Sequence, residues 1–243
     1  MAGGESSKPR PGPQQEDAGT PSRCAMILAA GRGERMRPLT DTLPKPLLPV
    51  AGKPMIEWHL EALAEAGLQE VVINVSWLAE AIIAALGDGH RWGLRLHFSR
   101  EGEPPLETGG GIVRALPWLG EGPFLVINGD VWTDLDLAGL VMPEASLAHL
   151  VMVPNPEHHP HGDFYLHQGR LATAPPGARL TFSGIGLYRA ALFDECGPGR
   201  FPLAPLLTAA MERGEVSGEV WDGVWSDIGT VARLEALRQT AGT

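Results

Sequence analysis

The chain has 243 residues, 44% hydrophobic and 20% charged, enough for one sizeable α/β domain with a small sub-lobe and too few for two well-separated domains. Its formal net charge of −10 argues against nucleic acid or an anionic membrane as partner, since either needs a basic face, so any polyphosphate must be held by local cations. Cys24 and Cys196 imply no disulfide framework and no stretch is apolar enough for long enough to span a bilayer, which together fit the cytoplasm.

Residues 1–22 are rich in Gly, Pro, Ser and Gln and lack the apolar core of a signal peptide. They read as a disordered tail ahead of a domain spanning 23–243. Cys24 to Ala30 suits a buried strand of a parallel sheet and breaks at Gly31 and Gly33, where positive φ and missing side chains let the amides up to Arg35 turn toward an anion. Arg35 adds a fork of donors matched to phosphate oxygens. In Pro44-Lys45-Pro46 the prolines should hold Lys45 on a stiff, extended segment. Taken singly, each of these residues suits an ordinary surface loop; together, just after a strand, they suit a phosphate cradle.

Pro54 to Ala66 has helical spacing with Gly67 after its end, Glu70 to Val75 reads as a buried strand, Leu78 to Leu86 as a helix and Leu94 to Ser99 as a strand. Alternating strands and helices imply a doubly wound, Rossmann-like, mostly parallel sheet. Arg100 to Gly111 is too rich in Gly and Pro for a regular element and is expected to be a loop leading into a helix from Ile112 to Leu116. Pro123 to Asn128 is a strand whose carboxyl end carries Gly129-Asp130, on the same rim as Gly31. Strands follow at Ala145 to Val153, Phe164 to His167 and Leu180 to Tyr188, the last two as a β-rich sub-lobe. His158, His159 and His161 could suggest a metal, but imidazoles around Pro160 diverge and no thiolate completes a set; a surface loop or ligand lining is the simpler reading. A helix from Phe201 to Met211, a strand from Gly218 to Trp221 and a helix from Val231 to Leu237 capped by Thr230 close the chain.

The run Leu28-Ala29-Ala30-Gly31-Arg32-Gly33-Glu34-Arg35-Met36-Arg37-Pro38-Leu39-Thr40 followed by Pro44-Lys45-Pro46 resembles the signature of the sugar-1-phosphate nucleotidyltransferases, with Ala30 in place of a glycine and Glu34 in place of a threonine. The resemblance implies a nucleoside triphosphate held by Ala30, Gly31, Gly33, Glu34, Arg35 and Lys45, and by Glu107, Thr108, Gly109 and Asn128 farther along. Glu107 stands where the family has a glycine in its base-binding loop. It also implies Arg35 and Lys45 in catalysis, Asp130 and Asp227 as magnesium ligands, and Asp163, Ser183 and Gly184 around the sugar. The family's lysine for the sugar phosphate has no counterpart in Val153-Pro154-Asn155-Pro156. The implied partners are small-molecule substrates, a nucleoside triphosphate and a sugar-1-phosphate, in a monomer or small homo-oligomer.

Two carboxylates about 4 Å apart repel by about 4 kcal/mol at an effective dielectric near 20, so Asp130 and Asp227, if adjacent, need a cation or a proton between them. Magnesium is the economical choice. A non-catalytic sugar-nucleotide sensor on the same fold is the alternative from another class, and such proteins tend to lack one of the residues Arg35, Lys45, Asp130 and Asp227.

Overall fold

The computed structural model describes residues 24–241; the tail expected at 1–22 lies outside the described residues. In chain order the elements are β1 (Cys24–Leu28), β2 (Pro49–Val50), β3 (Lys53–Pro54), α1 (Met55–Glu65), β4 (Glu70–Val75), α2 (Ala79–Leu86), β5 (Arg95–Arg100), α3 (Glu107–Leu119), β6 (Phe124–Asn128), β7 (Val131–Thr133), β8 (Ala148–Val153), β9 (Phe164–His167), β10 (Arg170–Ala172), β11 (Ala178–Tyr188), α4 (Ala204–Glu212), β12 (Val216–Val220), β13 (Trp225–Asp227) and α5 (Val231–Ala241).

A nine-stranded sheet in the order β5-β4-β1-β6-β11-β8-β12-β10-β9 runs through the molecule. The strands β5, β4, β1 and β6 are parallel to one another, whereas β11 enters antiparallel between β6 and β8. Because β9 also pairs with the start of β11, the strands β11, β8, β12, β10 and β9 close on one another in a small ring. The expected β-rich lobe is therefore the curled end of the same sheet.

Side chains alternate across the sheet as the pleat demands. Ala25 and Ile27 of β1 pack with Leu60 of α1 and Ile82 of α2 on one face, while Met26 packs with Ile112 of α3 and Leu207 of α4 on the other. This is the doubly wound arrangement, and near-continuous apolar strands follow from burial on both faces. A third cluster joins Met36 and Leu48 to Ile228, Leu234 and Leu237, so α5 packs directly on the segment that follows β1.

Two expectations need correction. The glycine-rich stretch from Glu107 is not a loop but the first turn of α3, which runs on through Pro117 to Leu119. Its glycines serve close packing: a Cβ at Gly109 would lie 2.5 Å from the Phe201 ring, one at Gly110 would run into the Gly199 carbonyl oxygen, and one at Gly111 would lie 2.8 Å from Glu101 Oε1. The segment carrying Lys45 is also not extended throughout. Pro44 is extended, but Lys45–Leu47 forms one 3-10 turn, closed by Leu48 N donating to Lys45 O at 3.1 Å.

If close backbone approach is what the run requires, Gly110→Ala must push α3 away from residue 199, at a cost of about 1–3 kcal/mol. The melting temperature should fall by about 5 °C; an unchanged melting temperature would show that the contact can yield freely.

Candidate active site

The site starts from the end of β1. Leu28 is flanked in register by Asn74 of β4 and Asn128 of β6, so the chain leaves the sheet between two amide side chains. Asn74 Oδ1 accepts from Ala29 N at 2.7 Å, and Leu28 O accepts from Gly129 N at 2.9 Å. Beyond this fixed point, Gly33 has φ 68°, and a Cβ there would press on Thr40 Cγ2 at 3.0 Å and Lys45 Cβ at 3.2 Å. Positive φ was expected of Gly31 as well, but it is absent there. What Gly31 contributes is open space, with nothing within 4 Å of where a Cβ would stand. Gly33 O accepts from Met36 N at 2.8 Å and from Thr40 Oγ1 at 2.9 Å. The preceding amides thus lie ahead of the first helical bond, where a helix has no internal acceptor. Met36, almost fully buried, ties the turn to Ile228 and Leu234.

Asp130 and Asp227 meet through the backbone. Asp227 on β13 pairs with Val131 on β7, and Ile228 N donates to Asp130 O at 2.7 Å. Each carboxylate has a side-chain cation of its own. Lys45 Nζ lies 2.5 Å from Asp130 Oδ2 with only 13% of its side chain exposed. Arg233 Nη1 lies 2.7 and 2.8 Å from the two oxygens of Asp227. His158 Nε2 is 2.9 Å from Asp227 Oδ1 and 2.6 Å from Arg233 Nη1. His159 turns instead to Asp163 at 3.0 Å, so the histidines do diverge. Arg35 and Arg233 flank Gly229, with guanidinium nitrogens 2.9 and 2.5 Å from where its Cβ would be.

A cleft of about 260 Å³ gathers Ala30, Gly31, Lys45, Glu107, Thr108, Asn128 and Asp130. Next to it, about 310 Å³ lies between Gly31, Gly33, Glu34, Arg35, Lys45 and Gly229. Apart from Gly109, which is packed against Phe201, the expected nucleotide residues line one or the other. Glu107 takes φ 62°, a left-handed backbone that costs a non-glycine residue about 1–2 kcal/mol. This is the conformation a glycine would supply there, and the Glu107 side chain turns away to Arg200 at 2.7 Å.

The expected sugar residues stand apart from this cleft. Asp163 uses one oxygen on His159 and the other on Phe182 N at 2.8 Å, so it clamps the histidine loop to β11. Ser183 is buried, its Oγ accepting from Ile185 N at 3.1 Å. Gly184 abuts Asn128, whose Nδ2 would lie 2.5 Å from an added Cβ.

Sequence reasoning missed Asn74, Glu101 and Arg233. Asn74 Nδ2 donates to Glu101 Oε1 at 2.8 Å, and Glu101 Oε2 accepts from Leu106 N at 2.7 Å, a polar brace under the cleft. Asn74 lies at the end of β4, beside β1, and Glu101 just past the end of β5, the next strand out, so the rim rule that singled out Asp130 applies to them equally. Arg233 carried its own signal, a cation in the first turn of a helix, where the macrodipole disfavours it unless an anion is near.

Asp130 and Asp227 also fit a hard divalent cation. Magnesium takes one or two carboxylates with waters and phosphate oxygens, not a full protein cage; among the described residues no group of three or more His, Cys, Asp or Glu gathers into one. Near Asp130 sits His59, buried, its Nε2 without a hydrogen-bond partner among the described residues. Burial outweighs the pull of the Asp130 carboxylate and the Gly129 carbonyl and lowers the His59 pKa to about 4.

Comparison with known proteins identifies the chain's relatives. The nucleotidyl transferase family model matches residues 24–164. The N-acetylmuramate alpha-1-phosphate uridylyltransferase of Neisseria meningitidis serogroup B is 51% identical over 226 residues, covering 90% of this chain and 98% of that protein. Its namesake from Caulobacter vibrioides is 35% identical, covering 85% of this chain and 92% of that protein. The inositol-1-phosphate CTP transferase from T. maritima has the same fold, with a TM-score of 0.76 at 16% identity over 92% of this chain and 97% of that one.

His59 predicts a pH dependence. A histidine that is neutral when folded and titrates near pH 6.5 when unfolded contributes stability above pH 6.5 that is lost as pH falls toward about 4. Across that window the wild type should lose about 3 kcal/mol more than His59→Gln. Denaturant unfolding at pH 7 and pH 4.5 checks this; parallel losses in the two proteins would contradict it.

Proposed function

The chain belongs to the nucleotidyl transferase family, and we propose that it transfers a uridylyl group from UTP to N-acetylmuramate α-1-phosphate, giving UDP-N-acetylmuramate and pyrophosphate. The observation that carries the choice of substrates is the 51% identity over nearly the whole of an enzyme named for that reaction. Lys45 paired with Asp130, Arg35 and Lys45 lining the adjoining space, and Asp227 on the strand beside Asp130 support catalysis over the sensor reading. The reaction belongs to peptidoglycan recycling in the cytoplasm, where UTP is at hand.

The acceptor's phosphate oxygen attacks the α-phosphorus of UTP in line with the pyrophosphate. A new P–O bond forms as the α–β bridging P–O bond breaks, and the bonding electron pair leaves with pyrophosphate. No general base is needed, because the attacking oxygen is already ionised at neutral pH. Catalysis is therefore positioning and charge stabilisation. The cleft beside Glu107, Thr108 and Asn128 takes the nucleoside, with the backbone at Glu107 doing the work of the family's glycine. Arg35 and the amides from Gly31 take the departing β- and γ-phosphates. Lys45, buried beside Asp130, stands between the two reacting phosphates. Magnesium, held by Asp130 and Asp227, would neutralise phosphate charge during transfer. Asp163, Ser183 and Gly184 bind the sugar, and Asp163 also fixes the histidine loop against β11.

Glucose-1-phosphate or mannose-1-phosphate as acceptor is the alternative within the family. Pyrophosphate release from a panel of sugar-1-phosphates and nucleoside triphosphates decides the matter. Release should be fastest with N-acetylmuramate α-1-phosphate and UTP. Release with glucose-1-phosphate in its place would overturn the substrate, and no release with any pair would favour the sensor.

A further inference from the structure

Asp227 is held in a way the reaction above does not require. Both its oxygens lie on one nitrogen of Arg233, and the Arg233 side chain is only 20% exposed. Arg233 is the third residue of α5, and its amide reaches the cap at Thr230 Oγ1 at 3.3 Å. A guanidinium so close to the positive end of a helix is favourable only beside an anion. The anion it rests on is the carboxylate that would turn to a divalent cation when nucleotide binds.

The surroundings point to a second anion. His158 arrives at Asp227 and Arg233 from the loop after β8, on the sugar side of the site. One imidazole nitrogen cannot accept from the guanidinium and donate to the carboxylate at once, so this trio has more than one arrangement. The triphosphate already has Arg35, Lys45 and the amides after Gly31, whereas the stretch Val153-Pro154-Asn155-Pro156 brings no cation to the acceptor. Arg35 and Arg233 each bring a guanidinium nitrogen within 3 Å of one point beside Gly229, so the two cations are neighbours. With Arg35 given to the triphosphate, its neighbour Arg233 is the cation left for a second phosphate.

We propose that Arg233 receives the acceptor's phosphate monoester, and that Asp227 keeps the guanidinium in reserve until that carboxylate turns to the divalent cation. The inference rests on the uridylyl-transfer reading for the identity of the acceptor, but the exchange of partners at Asp227 can be tested apart from it. Its fork of donors suits a phosphate dianion better than an ammonium would. The arrangement couples the two ligands, since a cation at Asp227 releases the group that binds the phosphate, and either ligand favours the other.

Arg233→Gln and Arg233→Lys test this, each first compared with the wild type by circular dichroism. KM is measured for the acceptor and for UTP, and the substrate-free proteins are titrated calorimetrically with Mg²⁺ alone. In Arg233→Gln the acceptor KM should rise about 30-fold, the UTP KM should stay within about 3-fold, and Arg233→Lys should recover part of the loss. Mg²⁺ alone should bind about 5-fold more tightly to Arg233→Gln, because its competitor for Asp227 is gone. A merely structural arginine would weaken both substrates and the metal together. An unchanged acceptor KM, an equal rise in both KM values, or Mg²⁺ binding that is unchanged or weakened would overturn the proposal. If Arg233→Gln does not fold, Arg233→Lys decides through the same split between the two KM values. If the wild type releases no pyrophosphate with any acceptor, the function reading fails, and the Mg²⁺ titration of Arg233→Gln still upholds or overturns the exchange.

Discussion

The short pairing of β7 with β13 is the constraint on which the site depends. It joins a strand that follows the central sheet to one near the end of the chain, and so sets two carboxylates on neighbouring backbone. Like charges brought together in this way must be compensated, and Lys45 and Arg233 do so. Every other feature of the site is arranged around that concentration of charge. The glycine-containing turn after β1 supplies amides, a cleft opens beside Lys45 and Asp130, and His158 meets Asp227 from the loop after β8. The net charge of −10 makes the local cations more necessary, because the field of the whole molecule repels a polyphosphate.

Packing keeps these parts in register. The cluster of Met36, Leu48, Ile228, Leu234 and Leu237 connects the turn after β1 to α5, so that turn and the Asp227–Arg233 pair share one apolar support. The position where a dinucleotide-binding turn would have its third glycine is filled here by Met36, which anchors the turn to α5. Asn74 and Asn128 on either side of Leu28 fix the exit of the strand. Asn74, buried with both ends of its amide bonded, acts as a pin, since its desolvation is favourable only when the hydrogen bonds are made.

Much of this was legible in the residues. The signature after β1, the strand ends at Asp130 and Asp227 and the βα rhythm all depend on local pattern, and local pattern survives folding. The glycine run before Ile112 misled because flexibility and close packing call for the same residue, and only the neighbouring segment at 199–201 tells them apart. Arg233 escaped notice because its partner lies across a turn and its cost appears only once the helix boundary is known. The bonds of Asp163 to His159 and to Phe182 N were not legible in the residues, because both partners are fixed only by the fold. Pattern identifies residue types suited to a role; the fold decides which partners they meet.

The central claim is that Asp130 and Asp227 converge on one divalent cation, displacing the side chains that neutralise them. Anomalous diffraction from crystals grown with Mn²⁺ and a non-hydrolysable UTP analogue tests it most directly, with Mn²⁺ standing in for magnesium at an oxygen-rich site. The account predicts a peak bridging the two carboxylates and the nucleotide's phosphates, with the Arg233 guanidinium moved off Asp227. A peak held elsewhere, with Lys45 and Arg233 still seated on their carboxylates beside a bound nucleotide, would contradict it.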